Sequence, residues 1–443
     1  MEGTAFYQQE FVRFEREVEE IETSWLHQIR QAAFSRFNTM GFPTSHDEEW
    51  RHTDVAPLTG ISFQPSTSNP SVPPKEDLVE ATFDQHACSQ LVFLNGRFSR
   101  ELSVVQPLPS GVTVGSLADL FKTSSGEVKF HLAQYADWQN HAFVALNTAF
   151  MQDGAFAYVP RNMEVKEPLH LVFISTAEDT PFISFPRNLL VLGENSQATI
   201  VESYVGIRKG IYFTNAVTEL VVGPEARVNH SVLQRESPSA YHMMYLALHQ
   251  DRGSRMSSTS VVLGGGLGRS EVHALLKAEG IDCSLSGLYL ATGRQHVDIQ
   301  TMIDHAKPGS TSRQVYRGIL NEKARAVFKG RILVRENAQK SDAAQINQNL
   351  LLSEDAVINT TPQLEIFADD VKCKHGTTVG HLDPEALFYL RSRGLGEEDA
   401  RNLIVYGFAS EIIDRLSIDP LRVWLSEFLP GWLSGTHSTL EAS

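Results

Sequence analysis

The sequence predicts a mainly β fold with flanking α structure: a β-helix core between a helical N-terminal domain and a helical C-terminal domain. Three observations carry the prediction. Short runs of β character recur through the middle of the chain, at 169–174, 188–192, 198–203, 218–222, 228–233, 257–263 and 326–334. Turn groups of one loose form fall between such runs, among them Gly193-Glu194-Asn195, Gly223-Pro224-Glu225, Asp251-Arg252-Gly253, Thr292-Gly293-Arg294 and Lys307-Pro308-Gly309. Helical periodicity is weak across this span and strong on either side of it. Strands do not alternate with long helices, which argues against a nucleotide-binding α/β sheet. Many short strands with repeated turns fit a sandwich, a barrel or a solenoid. The span is long for one sandwich, and a repeated turn-then-small-then-apolar pattern favours the solenoid. Gln197-Ala198-Thr199-Ile200, Glu225-Ala226-Arg227-Val228 and Lys323-Ala324-Arg325-Ala326-Val327 show it.

The elements follow in order. Residues 1–40 carry one apolar stripe at helical spacing (Phe11, Phe14, Val18, Ile21, Trp25, Ile29, Phe37), the mark of a packed amphipathic helix. Asp47-Glu48-Glu49-Trp50-Arg51-His52-Thr53-Asp54 reads as a buried tryptophan anchored by an arginine and flanking carboxylates. A Pro- and Ser-rich stretch at 64–76 reads as an extended linker. Leu91-Val92-Phe93-Leu94 ends in Asn95-Gly96, a hairpin signal. A helical stretch follows at 130–150, with Leu132, Tyr135, Trp138, Phe143, Leu146 and Phe150 as core positions. The β core is placed at 155–370, after an N-terminal domain at 1–154 and before a C-terminal domain at 371–443. In the last, helices are expected at 384–393, 397–416 and 420–429. Asp383-Pro384-Glu385 supplies cap, first helical residue and acidic first turn, Gly394 the stop, and Asp419-Pro420 repeats the start. Leu387, Leu390, Ile404, Phe408, Ile412, Leu416, Leu421, Trp424 and Phe428 exceed what three short helices can hide among themselves. They must cap the β domain, bind a partner, or do both. The final residues, 434–443, read as a frayed end.

Totals exclude several classes. A formal charge of −15 over 443 residues argues against non-specific binding to nucleic acid or anionic membrane. No run is long enough to span a membrane, and the Glu-rich start has no signal-peptide pattern. Three widely spaced cysteines, Cys88, Cys283 and Cys373, make no disulfide framework. A cytoplasmic protein with free thiols is expected.

The chemistry concentrates at the join between β and helical sequence. Gly264-Gly265-Gly266-Leu267-Gly268 lacks the Lys-Ser/Thr of a phosphate loop, and neither a zincin nor a nucleophile-elbow motif occurs. Any ATP-driven step therefore belongs to another chain. Cys373 and His375 stand two apart, so an extended backbone turns thiol and imidazole to one face. Both are transition-metal ligands, and two make half a site. A buried thiol beside a capping histidine fits the spacing equally well. Gly376 and Gly380 are expected to let the chain turn there, and His381 is a weak further candidate. Cys283, Cys88, His273, His296 and His305 read as core or surface residues.

The stretch KCKHGTTVGHLDPEALFYLRSRG (372–394) resembles the SufB/SufD family, the scaffold components of the SUF iron–sulfur assembly machinery. The resemblance rests on Cys373, His375-Gly376, Thr378-Val379-Gly380, Leu382-Asp383, Leu387-Phe388-Tyr389-Leu390 and Ser392-Arg393-Gly394. Glu48-Glu49-Trp50-Arg51-His52-Thr53 is similar to the family's Glu-Glu-Trp-Arg-Tyr-Thr signature, with histidine for tyrosine. The order of helical, β-rich and helical parts agrees over essentially the whole chain. A glutamate-rich C-terminal segment and additional cysteines, typical of SufB, are missing, so the resemblance is to the SufD branch.

That resemblance implies a right-handed parallel β-helix paired with SufB, and C-terminal helices docked on the SufC ATPase. It implies a non-catalytic scaffold holding a transient iron–sulfur cluster shared with SufB at their interface. His375 matches the family's histidine ligand, a SufB cysteine supplies another, and Cys373 matches a neighbouring interface cysteine. An imidazole ligand must be neutral, so occupancy should fall at low pH. An exposed Cys373 thiolate would be prone to oxidation, and burial in an interface would protect it. Two alternatives stand beside this reading. A β-helix carbohydrate-active enzyme would need paired carboxylates, for which Asp298, Asp304 and Glu271 are available. A purely structural interaction module would use Cys373 and His375 only for packing.

Overall fold

Both faces of the strands in the earlier solenoid turns are covered, and this explains why the period of the sequence is blurred there. The strand Tyr212–Val222, for example, is buried at all but one position. Later strands such as Thr311–Leu320 keep a half-exposed outer face. In the computed structural model, which describes residues 2–18, 23–66, 72–74, 78, 88–123, 126–176 and 180–435, the chain winds into a parallel β-solenoid. Each turn lays one strand in each of two sheets, so that within the solenoid turns from 187 to 381 alternate strands pair and sequence neighbours do not. One sheet runs through Arg187–Leu192, Tyr212–Val222, Tyr241–Gln250, Leu267–Leu276, His296–His305, Arg325–Val334 and Val357–Ile366. The other runs through Gln197–Gly206, Arg227–Arg235, Arg255–Val262, Asp282–Ala291, Thr311–Leu320, Asp342–Leu351 and Lys372–His381.

The expected turn groups fall at the corners. Residues there with positive φ, such as Asn195 (53°) and Gly293 (63°), reverse the chain between sheets. The repeated small residues Ala198, Ala226, Ala324 and Ala326 point into the core with Ile200, Val228 and Phe328. Most polar residues that enter the interior are hydrogen-bonded there. Glu202 accepts hydrogen bonds from Tyr204 (2.7 Å), Thr218 (2.9 Å) and Asn188 (3.1 Å), and its other oxygen lies 3.0 Å from His230 Nε2.

The outer faces are covered from opposite ends of the chain. The expected N-terminal helix is two, Glu2–Val18 and Ser24–Met40, and these pack with Ala142–Phe150 over the first sheet. Ile21 lies outside the described residues, as does most of the expected linker. The predicted 130–150 helix is likewise divided, since residues 132–141 form an irregular segment. Glu219 on the sheet holds that segment, accepting backbone N–H groups of Ala133 (2.8 Å), Tyr135 (2.7 Å) and Ala136 (2.9 Å) while pairing with Arg187. The helices Glu397–Ile413 and Asp419–Leu433 cover the second sheet, with Val405, Ala409, Ile412, Leu421 and Leu425 against Val201, Leu233, Leu288 and Ile319. Asp383 caps its helix through Glu385 N–H at 2.9 Å, as expected. Asp419 does not repeat this: the cap position is Ile418, and Asp419 lies within the first turn. Residues 436–443, read as frayed, are outside the described residues.

The two ends of the solenoid differ. At the start, Ser89–Leu94 and Arg97–Val104 form the expected hairpin through Asn95 and Gly96, both at positive φ, and close the second sheet with an antiparallel strand. At the other end the sheets stop at Val357–Ile366 and Lys372–His381, each paired on one side only among the described residues. No described helix is long and apolar enough to cross a membrane.

Candidate functional site at the open end of the solenoid

Cys373 and His375 lie on the last strand. Gly376 and Gly380 make no turn, contrary to expectation: the strand runs unbroken from Lys372 to His381. Its pairing decides where each side chain points. Cys373, His375, Thr377 and Val379 stand over Ala343, Gln345, Asn347 and Asn349 of the strand below. Paired residues of a parallel ladder project to the same side. Gln345 reaches across the interior to the carbonyl of Gly330 (3.2 Å), and Asn347 accepts from Thr360 of the opposite sheet (2.9 Å). The column therefore points inward, and His375 stands at the mouth of the solenoid with no further rung above it among the described residues.

The mouth is built from both edge strands. Thr377 meets Thr360 across it at 3.1 Å, over a buried network of Asn347, Asn349 and Tyr289. Cys373 sits deeper, half-buried against Ile332, Val334, Ala338, Ala343 and Ala368. Burial pushes its thiol up, Asp342 adds to the effect, and a backbone N–H opposes it, so the group stays a protonated thiol at neutral pH. His375 is exposed, and its imidazole makes no hydrogen bond among the described residues. His381 is spent locally, its Nδ1 on the carbonyl of Leu351 at 3.1 Å. Among the described residues no three His, Cys, Asp or Glu side chains gather closely enough to hold a metal ion. What the chain offers at its mouth is one accessible imidazole and one sheltered thiol.

The Glu-Glu-Trp-Arg-His-Thr stretch serves a different purpose. Trp50 is half-buried, and the arginine over its ring is Arg269 from the first sheet, 3.8 Å from the centroid, while Arg51 is exposed. Arg269 also donates to Glu49 O (2.9 Å) and Glu271 (2.7 Å) and pairs with Asp298. Thr53 donates to Asp298 at 2.6 Å and lies 3.0 Å from His296. The expected arginine anchor of the tryptophan is present, but it comes from Arg269, 220 residues from Glu49, and not from the stretch itself, so that the stretch clamps the N-terminal region onto the solenoid.

The carboxylates weighed for glycoside chemistry are committed elsewhere. Asp298 and Glu271 share Arg269, and Asp304 holds Arg335 through both oxygens. Burial alone would push Glu271 up, but Arg269, His141 and His273 hold it below the usual carboxylate range, the reverse of what a general acid needs. Cys283 is core, as expected, its thiol pushed up to about 12 by burial.

Comparison with known proteins covers nearly the whole chain. Residues 173–408 match the family described as the SUF system FeS cluster assembly SufBD core domain, and residues 1–171 match the SufBD protein N-terminal region. An iron–sulfur cluster assembly SufBD family protein of Synechocystis is 37% identical over 410 residues, 90% of each chain. The iron–sulfur cluster assembly protein SufD of Escherichia coli is 32% identical over 384 residues, 86% of this chain and 87% of its own. That of Bacillus subtilis is 27% identical over 410 residues, 90% and 92% of the respective chains.

Proposed function

Because the chain belongs to the SufBD family of iron–sulfur cluster assembly proteins, we propose that it is a non-catalytic scaffold subunit of the SUF system, of the SufD type. It works in the cytoplasm, pairs with SufB through its β-helix, and shares a nascent cluster with SufB at the joint. The observation that carries this reading is the open end. Two parallel edge strands present unpaired backbone groups, a liability that a partner strand removes. His375 stands in that opening, exposed and unbonded, on an inward-pointing column.

A single imidazole cannot hold iron and sulfide alone, so the remaining ligands come across the interface, a SufB cysteine among them. Cys373 is the secondary candidate. Its thiol must lose a proton to ligate, which burial opposes and bound iron favours. The cluster is cargo here. This chain's part is to offer a neutral imidazole and, with SufB closed over the mouth, to keep water and oxidants away.

The C-terminal helices dock SufC, whose ATP hydrolysis shifts the SufB–SufD pair and opens the site. Support comes from apolar surface left over after the second sheet is covered. Pro384–Ser392 has no buried residue, and Phe388 (75%), Tyr389 (57%) and Leu403 (51%) are exposed.

The test is anaerobic reconstitution after co-expression with SufB and SufC, comparing wild type with His375→Ala by visible absorption and iron content. The reading expects a complex that still forms and a cluster that is lost. A normal cluster yield from His375→Ala would place the site wholly on SufB and overturn it.

A further inference from the structure

We propose that Gln345 is a positioning residue for His375: its amide oxygen accepts the N–H of one imidazole nitrogen and so presents the other, bare nitrogen to iron. The proposal rests on the reading of His375 as a cluster ligand. Gln345 is fully buried, one rung below His375 on the same inward column. Its Nε2 donates to Gly330 O at 3.2 Å. Gly330 makes room for that amide, since a β-carbon there would lie 2.0 Å from Nε2 and 3.0 Å from Oε1. Exchanging the amide's oxygen and nitrogen would set it against another carbonyl oxygen, so the bond to Gly330 fixes the assignment.

The amide oxygen is then left without a hydrogen-bond partner among the described residues, which buried polar atoms seldom are. Its neighbours show which donor it lacks. Gln314, on the rung below, accepts from Thr301 at 2.7 Å and does not bond Gln345, although its own Nε2 is also without a partner among the described residues. Pro362 stands over Gly330 and has no N–H to give. Thr377 stands over Asn347 and meets Thr360, and Cys373 stands over Ala343 in an apolar setting. Of the two adjacent side-chain donors, Gln314 is held in the interior by Thr301 without reaching Gln345. The imidazole of His375, about 4.8 Å up the ladder, is exposed and unbonded and so able to turn onto the amide oxygen. Metal-binding histidines are oriented by such a bond on the nitrogen away from the metal, which also selects the tautomer.

The experiment uses the full-length chain carrying 15N-histidine, as wild type, His375→Ala, Gln345→Met and Gln345→Glu. The His375 signals are assigned by their loss in His375→Ala, and their shifts report the ring tautomer without any metal present. Iron retained after anaerobic reconstitution with SufB and SufC is the second readout. Gln345→Met and Gln345→Glu both lose the bond to Gly330, but only the glutamate keeps an acceptor under His375. We expect one tautomer in wild type and Gln345→Glu, both tautomers in Gln345→Met, and a drop of roughly 10–100-fold in cluster retention for Gln345→Met alone. A purely structural role would move the two Gln345 variants together, and that result overturns the proposal. So do both tautomers in wild type, which needs no variant to fold. Iron retained by His375→Ala sinks the ligand reading instead and is seen separately from the tautomer result.

Discussion

At the scale of single residues, burial sets the chemistry of Cys373 and of several histidines. Cys373 is half-buried with its thiol pushed up, so alkylation of the isolated chain at neutral pH should be slower at Cys373 than at a free cysteine thiol and should quicken as pH rises. Mass-spectrometric mapping over time checks this; fast labelling near pH 7 would show a stabilised thiolate instead. The histidines give a second expectation. Burial pushes His170 down to about 3, and His273 and His305 to about 4, from a usual 6.5. Between 6.5 and about 4 the unfolded chain therefore binds more protons than the folded one, and stability falls as the medium is acidified through that window. Urea midpoints should drop between neutral pH and about pH 5, and His305→Gln should flatten the decline. An unchanged midpoint for wild type would show that these imidazoles are not held neutral.

At the scale of elements, the strands Asp282–Ala291 and Thr311–Leu320 show how tightly the interior is filled. Gly287 pairs with Tyr316 and Tyr289 with Gly318, so each tyrosine ring lies over a neighbouring glycine. A β-carbon at Gly287 would come within 2.3 Å of one ring, and one at Gly318 within 2.2 Å of the other. Gly287→Ala or Gly318→Ala should cost about 1–3 kcal/mol by overpacking. Gly376→Ala, facing open space, should change stability by about 0.5 kcal/mol or less. Denaturation of the three variants checks the contrast, and equal effects would contradict the packing described. For the C-terminal helices, Phe388→Ser with Leu403→Ser should leave the melting temperature of the chain alone but weaken SufC binding, measured by calorimetry. Much of this organisation was legible beforehand. The predicted turn groups fall at solenoid corners, Asn95-Gly96 makes its hairpin, and Asp383 caps its helix, because each depends on neighbours in sequence. What was not legible depends on stacking across turns. Lys372–His381 looked like a turning segment because two glycines interrupt it, yet the ladder to Asp342–Leu351 overrides their local preference. Arg269 over Trp50 and Gln345 under His375 were likewise hidden, since roughly one solenoid turn or more separates the partners.

At the scale of the whole molecule, the chain is asymmetric along its solenoid axis. One end is closed by an antiparallel hairpin, the flanks are covered by helices from both termini, and the other end is open, with His375 in its mouth. Solenoids need caps because a bare terminal rung exposes both its backbone and its core. In the function proposed above the cap is SufB, and the assembly site would be the space the two subunits enclose. The candidate ligands were visible in sequence as a Cys-x-His pair; their inequality, one exposed and one sheltered, emerged only from the burial of the column beneath them. The most direct measurement is pulsed EPR on the reduced, cluster-loaded complex in which only this chain carries 15N-histidine. The account predicts a 15N hyperfine coupling to the cluster that is lost on replacing His375 with alanine. A loaded cluster with no 15N coupling from this chain would contradict it.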